Sequence, residues 1–249
     1  KIHRKGIVAS NVVDIQREAP NSGGYVLSPE AGFYEHVLVF DFKSLYPSII
    51  RTFRIDPLSR LRADKDPVKT PVDLSFSRTE HVLPQRLKDL MEKRDQAKLE
   101  GDESLSKAIK ILMNSFYGVM GSTGSRFYHS DLSRAITGVG RWVLEESIKY
   151  LKEQGYKIIY GDTDSIFITL KAGLWGNMDQ FGDQLAVKVN TFLTKLIKRE
   201  FKIDSCLELQ FEKYYRKFYL PRSRSGQGDG AKKRYAGLLV KEGSEKINF

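Results

Sequence analysis

Tyr160-Gly161-Asp162-Thr163-Asp164-Ser165 is the stretch on which the fold reading turns, with Lys157-Ile158-Ile159 before it and Ile166-Phe167-Ile168-Thr169-Leu170 after it. Two runs of β-branched and aromatic residues around a short Gly/Asp-rich connection predict a β-hairpin. On an extended strand residues two apart face the same way, so Asp162 and Asp164 are expected to present their carboxylates together while Thr163 points opposite. Such a pair repels itself, and a hard divalent cation that prefers oxygen ligands would relieve the repulsion. An Asp-rich turn held by local hydrogen bonds accounts for the same residues without any ligand. The rest of the chain decides between the two.

Upstream, His36-Val37-Leu38-Val39-Phe40-Asp41-Phe42 is a continuous apolar run, the pattern of a buried strand, with an acid near its end. Ser44-Leu45-Tyr46-Pro47-Ser48-Ile49-Ile50-Arg51 follows and predicts a helix with a capping serine and an early proline. Asp41 at this junction either assists the helix start or serves as a metal ligand, with backbone N–H groups behind it facing an anion. Ile55 to about His81 is polar and proline-punctuated, and reads as a loop-rich connection. A helix beginning near Pro84 then carries Leu87, Leu90 and Met91 on one stripe, continued at the same spacing by Arg94 and Lys98.

After a turn at Gly101-Asp102-Glu103, a second helix is predicted from Leu105 to about Gly118. Its core side is expected to hold Ile109, Leu112, Met113 and Phe116, and its other side Lys107, Lys110, Asn114 and Gly118. Asn114 is unfavourable in mid-helix, a sign that something other than helix stability placed it there. Tyr117-Gly118 sets a ring beside a position with no side chain, which leaves room for a flat group. The two helices make a hairpin that carries Arg94, Lys98 and Lys110.

A long amphipathic helix over Ser130–Gln154 reads as scaffold, and after the acidic hairpin a loop at Gly173–Asn177 leads to another amphipathic helix from Phe181 to Ile197. Leu207–Lys213 and Tyr215–Leu220 predict two strands, and Arg222–Gly228 a Gly/Ser-rich basic tip. Lys232-Lys233-Arg234-Tyr235 then leads into a strand, and reads either as a phosphate-contacting cluster or as a solvated hairpin edge. Asn21-Ser22-Gly23-Gly24 falls in an irregular lead-in, with a short strand expected near Gly24–Leu27.

Forty-one lysines and arginines against 31 acids give a net charge of +10, a balance that suits a polyanionic partner. A single cysteine, Cys206, excludes an internal disulfide, and the four histidines show no zinc-type spacing. No apolar run reaches the length of a bilayer span, so no membrane partner is expected.

Taken together, these stretches resemble a known set. Asp41-Phe42-Lys43-Ser44-Leu45-Tyr46-Pro47-Ser48 resembles the first palm motif of family B DNA polymerases. Lys110-Ile111-Leu112-Met113-Asn114-Ser115-Phe116-Tyr117-Gly118 is similar to the fingers motif, Tyr160–Ser165 to the second palm motif, and Lys232–Tyr235 to the duplex-contacting motif. The flanking Ile49–Phe53 run points to a bacterial member of that family. The resemblance implies an α+β fold, a palm with an antiparallel sheet backed by helices and a helical-hairpin fingers insertion. The implied division is palm with lead-in over 1–54, fingers over 55–118 and the remaining palm over 119–249.

The implied chemistry is template-directed transfer of a deoxynucleotidyl group from a dNTP to a primer 3′-hydroxyl, with two Mg²⁺ ions. Asp41, Asp162 and Asp164 would be catalytic, with Asp41, Asp164 and the Phe42 backbone holding the ions and Asp162 in support. Ser44 and Leu45 would hold the triphosphate through backbone N–H groups, and Tyr46 would sit beneath the sugar and exclude a 2′-hydroxyl. Arg94, Lys98, Lys110 and Asn114 would face the triphosphate, Tyr117 and Gly118 the forming base pair. Lys232, Lys233, Arg234 and Tyr235 would contact the duplex. Primer–template DNA and dNTP are the implied partners, with a sliding clamp reached through a C-terminal part outside this chain. The implied setting is the bacterial cytoplasm, at the nucleoid. The family's proofreading acids and thumb are expected elsewhere in a longer parent, and a fragment that holds DNA without catalysis is the rival expectation.

Overall fold

The computed structural model describes residues 3–9, 11–14, 26–63, 65–170, 176–223, 232–241 and 244–248. The Gly-rich lead-in at 21–24, the loop at 173–175 and the tip at 224–228 lie outside the described residues. In chain order the elements are β1 (Val26–Leu27), β2 (Gly32–Phe42), α1 (Leu45–Phe53), α2 (Pro57–Leu61), β3 (Val68–Lys69), β4 (Ser75–Phe76) and α3 (Leu83–Leu99). They continue with α4 (Glu103–Gly121), α5 (Ser130–Glu153), β5 (Lys157–Asp162), β6 (Ser165–Thr169), α6 (Met178–Phe201), β7 (Leu209–Leu220), β8 (Ala236–Lys241) and β9 (Ser244–Asn248). Among the described residues no helix is long and apolar enough to cross a membrane.

Two compact units emerge from these elements. One comprises residues 44–140 and 197–206 with the first 23; the other comprises 24–43, 141–196 and 207–249. The second unit contains a seven-stranded sheet in the order β1-β5-β6-β2-β7-β8-β9, every neighbouring pair antiparallel. Val37, Leu38, Val39 and Phe40 are all buried in succession, so β2 is covered on both faces. That explains why its sequence is a continuous apolar run rather than an alternation. One face packs Val37, Val39, Ile159, Tyr160, Phe167, Tyr215 and Phe218 together, with Tyr235 and Leu239 against them. Helices back the sheet. Ile148 of α5 reaches Gly161, and α6 comes so near β7 at Gly182 that a β-carbon there would collide with the Phe211 ring.

Where two strands were expected over 207–220, one strand of 12 residues runs through. Its pairing with β2 passes from Lys213↔Val39 to Phe211↔Phe40, which leaves Glu212 unpaired. A bulge of this kind lets a strand bend and continue instead of ending.

In the first unit, α3 and α4 form the expected antiparallel hairpin, turning at Gly101 (φ 74°), with Asp102 accepting from the Leu105 N–H at 2.8 Å. The buried side of α4 is Ser106, Ile109, Met113 and Met120, whereas Leu112, expected inside, is 47% exposed. The segment from Ile55 to His81 is not all loop. It holds α2 and a β3–β4 hairpin around buried Leu58, Val68 and Phe76.

Asp56 is the fully buried centre of that segment. Its carboxylate accepts the Ser59 N–H at 2.6 Å, capping α2, and also the Val82 and Leu83 N–H groups at the start of α3. Asp56→Ala strands one buried and two half-buried donors and removes the acceptor at the start of two helices. It should lower stability by about 2–4 kcal/mol, read as a lower denaturation midpoint at unchanged slope in urea.

Candidate active site

The acidic residues belong to the sheet unit. β5 ends at Asp162, β6 begins at Ser165, and these two face each other, so Thr163-Asp164 is a two-residue hairpin loop. Thr163 has φ 53°, the left-handed backbone that such tight loops demand. Strand alternation therefore does not govern Asp164, and the expectation that Asp162 and Asp164 share a strand face is replaced by a different arrangement. Ser165 faces both Asp162 on β5 and Asp41 on β2, while Asp41 faces Gln210 on β7. Directly opposed residues share a face, so Asp162, Ser165, Asp41 and Gln210 form one row across four strands. Asp164 is tied to that row through the main chain, because the Phe42 N–H donates to the Asp164 carbonyl at 2.8 Å.

Local hydrogen bonds hold the hairpin. Thr163 Oγ1 donates to Asp162 Oδ1 at 3.0 Å, and Ser165 Oγ donates to the Asp162 carbonyl at 3.1 Å. Tyr160 OH donates to Asp162 Oδ2 at 3.2 Å, and Lys233 Nζ lies 3.5 Å from the same oxygen. Burial pushes the Asp164 carboxyl above the usual range; the negative charges of Asp162 and Glu212 push the same way, while its backbone hydrogen bond and Lys233 oppose them. Glu212 is the unpaired residue of the β7 bulge. Sequence reasoning missed it, since the alternating run Leu207–Lys213 carries no mark of where a bulge falls.

The basic cluster joins the same unit. Lys233 has φ 59°, and its backbone N–H donates to Tyr160 OH at 2.9 Å. Burial raises the Tyr160 hydroxyl to about pKa 12. Tyr235 packs edge-on against Phe167, ring centroids 5.5 Å apart, and 5.1 Å from Phe218. Lys232, Lys233 and Arg234 are exposed beside it.

The other unit carries the remaining sequence-predicted residues. Ser44 precedes α1 in the left-handed region (φ 49°) and makes no side-chain cap, contrary to expectation. Its hydroxyl instead accepts from Arg94 Nη1 at 3.5 Å. Among the described residues, Arg94 Nε is buried with no hydrogen-bond partner. A buried guanidinium nitrogen left unpaired is costly, and an anion arriving there would be welcome. A cleft of 640 Å³ runs along the α3–α4 hairpin, lined by Arg94, Lys98, Lys107 and Lys110 with Glu103 and Ser106. Lys107, seen beforehand only as an outward-facing residue, adds a fourth cation. Asn114 and Gly118 are exposed on α4, and the Tyr117 ring lies 4.6 Å from that of Tyr46. α5 passes α1 at Gly140, where a β-carbon would lie 3.6 Å from the Tyr46 ring; Leu45 beside it is buried.

Among the described residues no three acidic, histidine or cysteine side chains gather closely enough to hold a metal by themselves.

Comparison with known proteins bears directly on this geometry. The profile of DNA polymerase family B matches residues 1–248. The chain is 40% identical over its whole length to DNA polymerase II of Escherichia coli (strain K12), covering 32% of that protein. It is 30% identical to the DNA polymerase of Thermococcus gorgonarius, over 90% of this chain and 30% of that one. Among solved structures, the family B DNA polymerase of Pyrobaculum calidifontis superposes with a TM-score of 0.62 at 30% identity, over 98% of this chain and 31% of that chain. The chain thus spans about a third of the length of these relatives. An acidic hairpin beside a buried strand, a cation-lined helical hairpin and a profile match from end to end converge on one conclusion: this chain belongs to DNA polymerase family B.

Proposed function

We propose that this chain carries the palm (1–54 and 119–249) and the fingers (55–118) of a template-directed DNA polymerase. It would transfer a deoxynucleotidyl group from a dNTP to a primer 3′-hydroxyl at Asp41 and Asp164. The observation that carries the reading is the register of β2 with the 162–165 hairpin, which sets Asp41 opposite Ser165 and bonds Phe42 to Asp164. Two Mg²⁺ ions fit this donor set. The donors are all oxygens, as a hard cation prefers. Burial and neighbouring negative charge disfavour the ionised form of Asp164, and a bound cation would favour it. Asp41, Asp164 and the Phe42 carbonyl would hold the ions, which when bound activate the attacking hydroxyl and neutralise the pyrophosphate that leaves.

The chain's own groups supply the rest. Asp162, bonded to Tyr160, Thr163 and Lys233, fixes the hairpin so that Asp164 keeps its place. The backbone N–H groups of Ser44 and Leu45 and the side chains of Arg94, Lys98, Lys110 and Asn114 bind and orient the triphosphate, since phosphoryl transfer depends mainly on positioning and charge neutralisation. Tyr46 supports the sugar, Tyr117 and Gly118 lie against the new base pair, and Lys232–Tyr235 grip the duplex. Primer–template DNA and dNTP are the partners; a clamp would act through a part outside this chain, and the setting would be the bacterial nucleoid.

Arg94→Ala should raise the KM for dNTP about 10–100-fold, because it removes a charge-assisted contact to phosphate, and should alter duplex affinity little. Steady-state extension with varied dNTP reads this. The reading itself is tested by incubating the chain with primed template, dNTP and Mg²⁺ beside a DNA-retention assay in the same buffer. Template-dependent extension supports it. Retention without extension favours a fragment that binds DNA and does not catalyse.

A further inference from the structure

We infer that Tyr160 is a positioning residue that locks the basic Lys232–Tyr235 loop onto the acidic hairpin, so that Lys233 waits against Asp162 until a DNA phosphate takes it over. This rests on the polymerase reading above. Tyr160 is 1% exposed, yet its single hydroxyl is used in both directions. It donates to Asp162 Oδ2 at 3.2 Å and accepts the Lys233 backbone N–H at 2.9 Å. A phenol hydroxyl has one proton to give, so one side-chain oxygen links the acid to the loop's main chain with its donor committed.

The loop needs such a hold. Lys233 sits at φ 59°, a backbone region that a non-glycine residue keeps only where its surroundings enforce it. Tyr235 supplies a second anchor through its ring contacts with Phe167 and Phe218. Between these anchors the Lys233 ammonium lies 3.5 Å from Asp162, with its side chain 67% exposed against 18% for the acid. An ion pair this exposed on one side exchanges readily for a phosphate, which offers the same charge and more acceptor oxygens. In the DNA-free protein the pair keeps an acid of the site neutralised; once duplex arrives, the lysine is already aimed. Occupancy of the duplex site and the ion pairing of Asp162 are thereby coupled through Tyr160.

The test is primer–template affinity of this 249-residue chain by fluorescence anisotropy over a series of salt concentrations, for wild type, Tyr160→Phe, Lys233→Ala and the double variant. Tyr160→Phe should weaken binding about 5–10-fold and lower the salt slope by about one, as the loss of one phosphate contact does. The double variant should bind within about twofold of Lys233→Ala alone, because the two residues act on one contact. Effects that add fully in the double variant, or an unchanged salt slope in Tyr160→Phe, overturn the inference and leave the polymerase reading standing. A wild-type chain that binds no duplex overturns both. Hydrogen exchange on the wild type supplies a check independent of how Tyr160→Phe folds. The Lys233 amide should be protected, and free exchange there would overturn the lock.

Discussion

Asp164→Asn is expected to abolish primer extension, lowering the single-turnover rate on the order of 10³-fold or more, the scale on which one preorganised electrostatic group at a reacting centre acts. The change is nearly isosteric, and the Phe42 N–H donates to the backbone carbonyl of residue 164, which survives the substitution. The hairpin should therefore keep its register. Burial already disfavours the charged form of this carboxyl, so removing the charge is expected to leave the melting temperature unchanged or raised. Lost chemistry with equal or greater stability is the signature of a residue kept for function. The measurement pairs single-turnover extension in the full-length polymerase context with thermal melting; a strong loss of stability with extension retained would make Asp164 structural.

Tyr46→Ala is expected to open the site to ribonucleotides, raising their incorporation relative to deoxynucleotides by about 10²-fold. The ring has little freedom to yield. It lies 4.6 Å from the Tyr117 ring, and α5 closes on it at Gly140. A ring fixed on two sides rejects an added hydroxyl by collision, whereas a mobile one would step aside. Tyr46→Phe should keep the discrimination, since the bulk and not the phenol oxygen would do the excluding. Competition between paired ribo- and deoxynucleotides on one template reads both variants. Unchanged selectivity in the alanine variant would remove Tyr46 from this role.

How much of this was legible beforehand varies by element. The 157–170 hairpin could be read because β-branched runs flank a Gly/Asp connection, and α5 and α6 because their apolar residues recur at helical spacing over 24 residues each. The loop within the hairpin could not be placed by pattern, since a two-residue turn at Thr163-Asp164 and an extended strand share the same letters. α2 was hidden by its five-residue length, although Asp56-Pro57 is a cap followed by proline at the first helical position. Leu112 misled because an apolar residue was assumed to mark the buried side; small Ser106 is what faces in, where α4 approaches its neighbour. Ser44 looked like a cap from its position alone, but its left-handed backbone takes the hydroxyl away from the helix start and leaves it to Arg94. The Glu212 bulge is set by pairing between β7 and β2, a relation that no local stretch of sequence contains.

Asp41 and Asp164 are expected to share divalent ions. Anomalous scattering from Mn²⁺ in crystals of the protein with primer–template and a non-hydrolysable dNTP tests this most directly. Two peaks bridged by the carboxylates of Asp41 and Asp164 are the predicted result; bound nucleotide with no ion on either acid, or with ions held elsewhere, would contradict it.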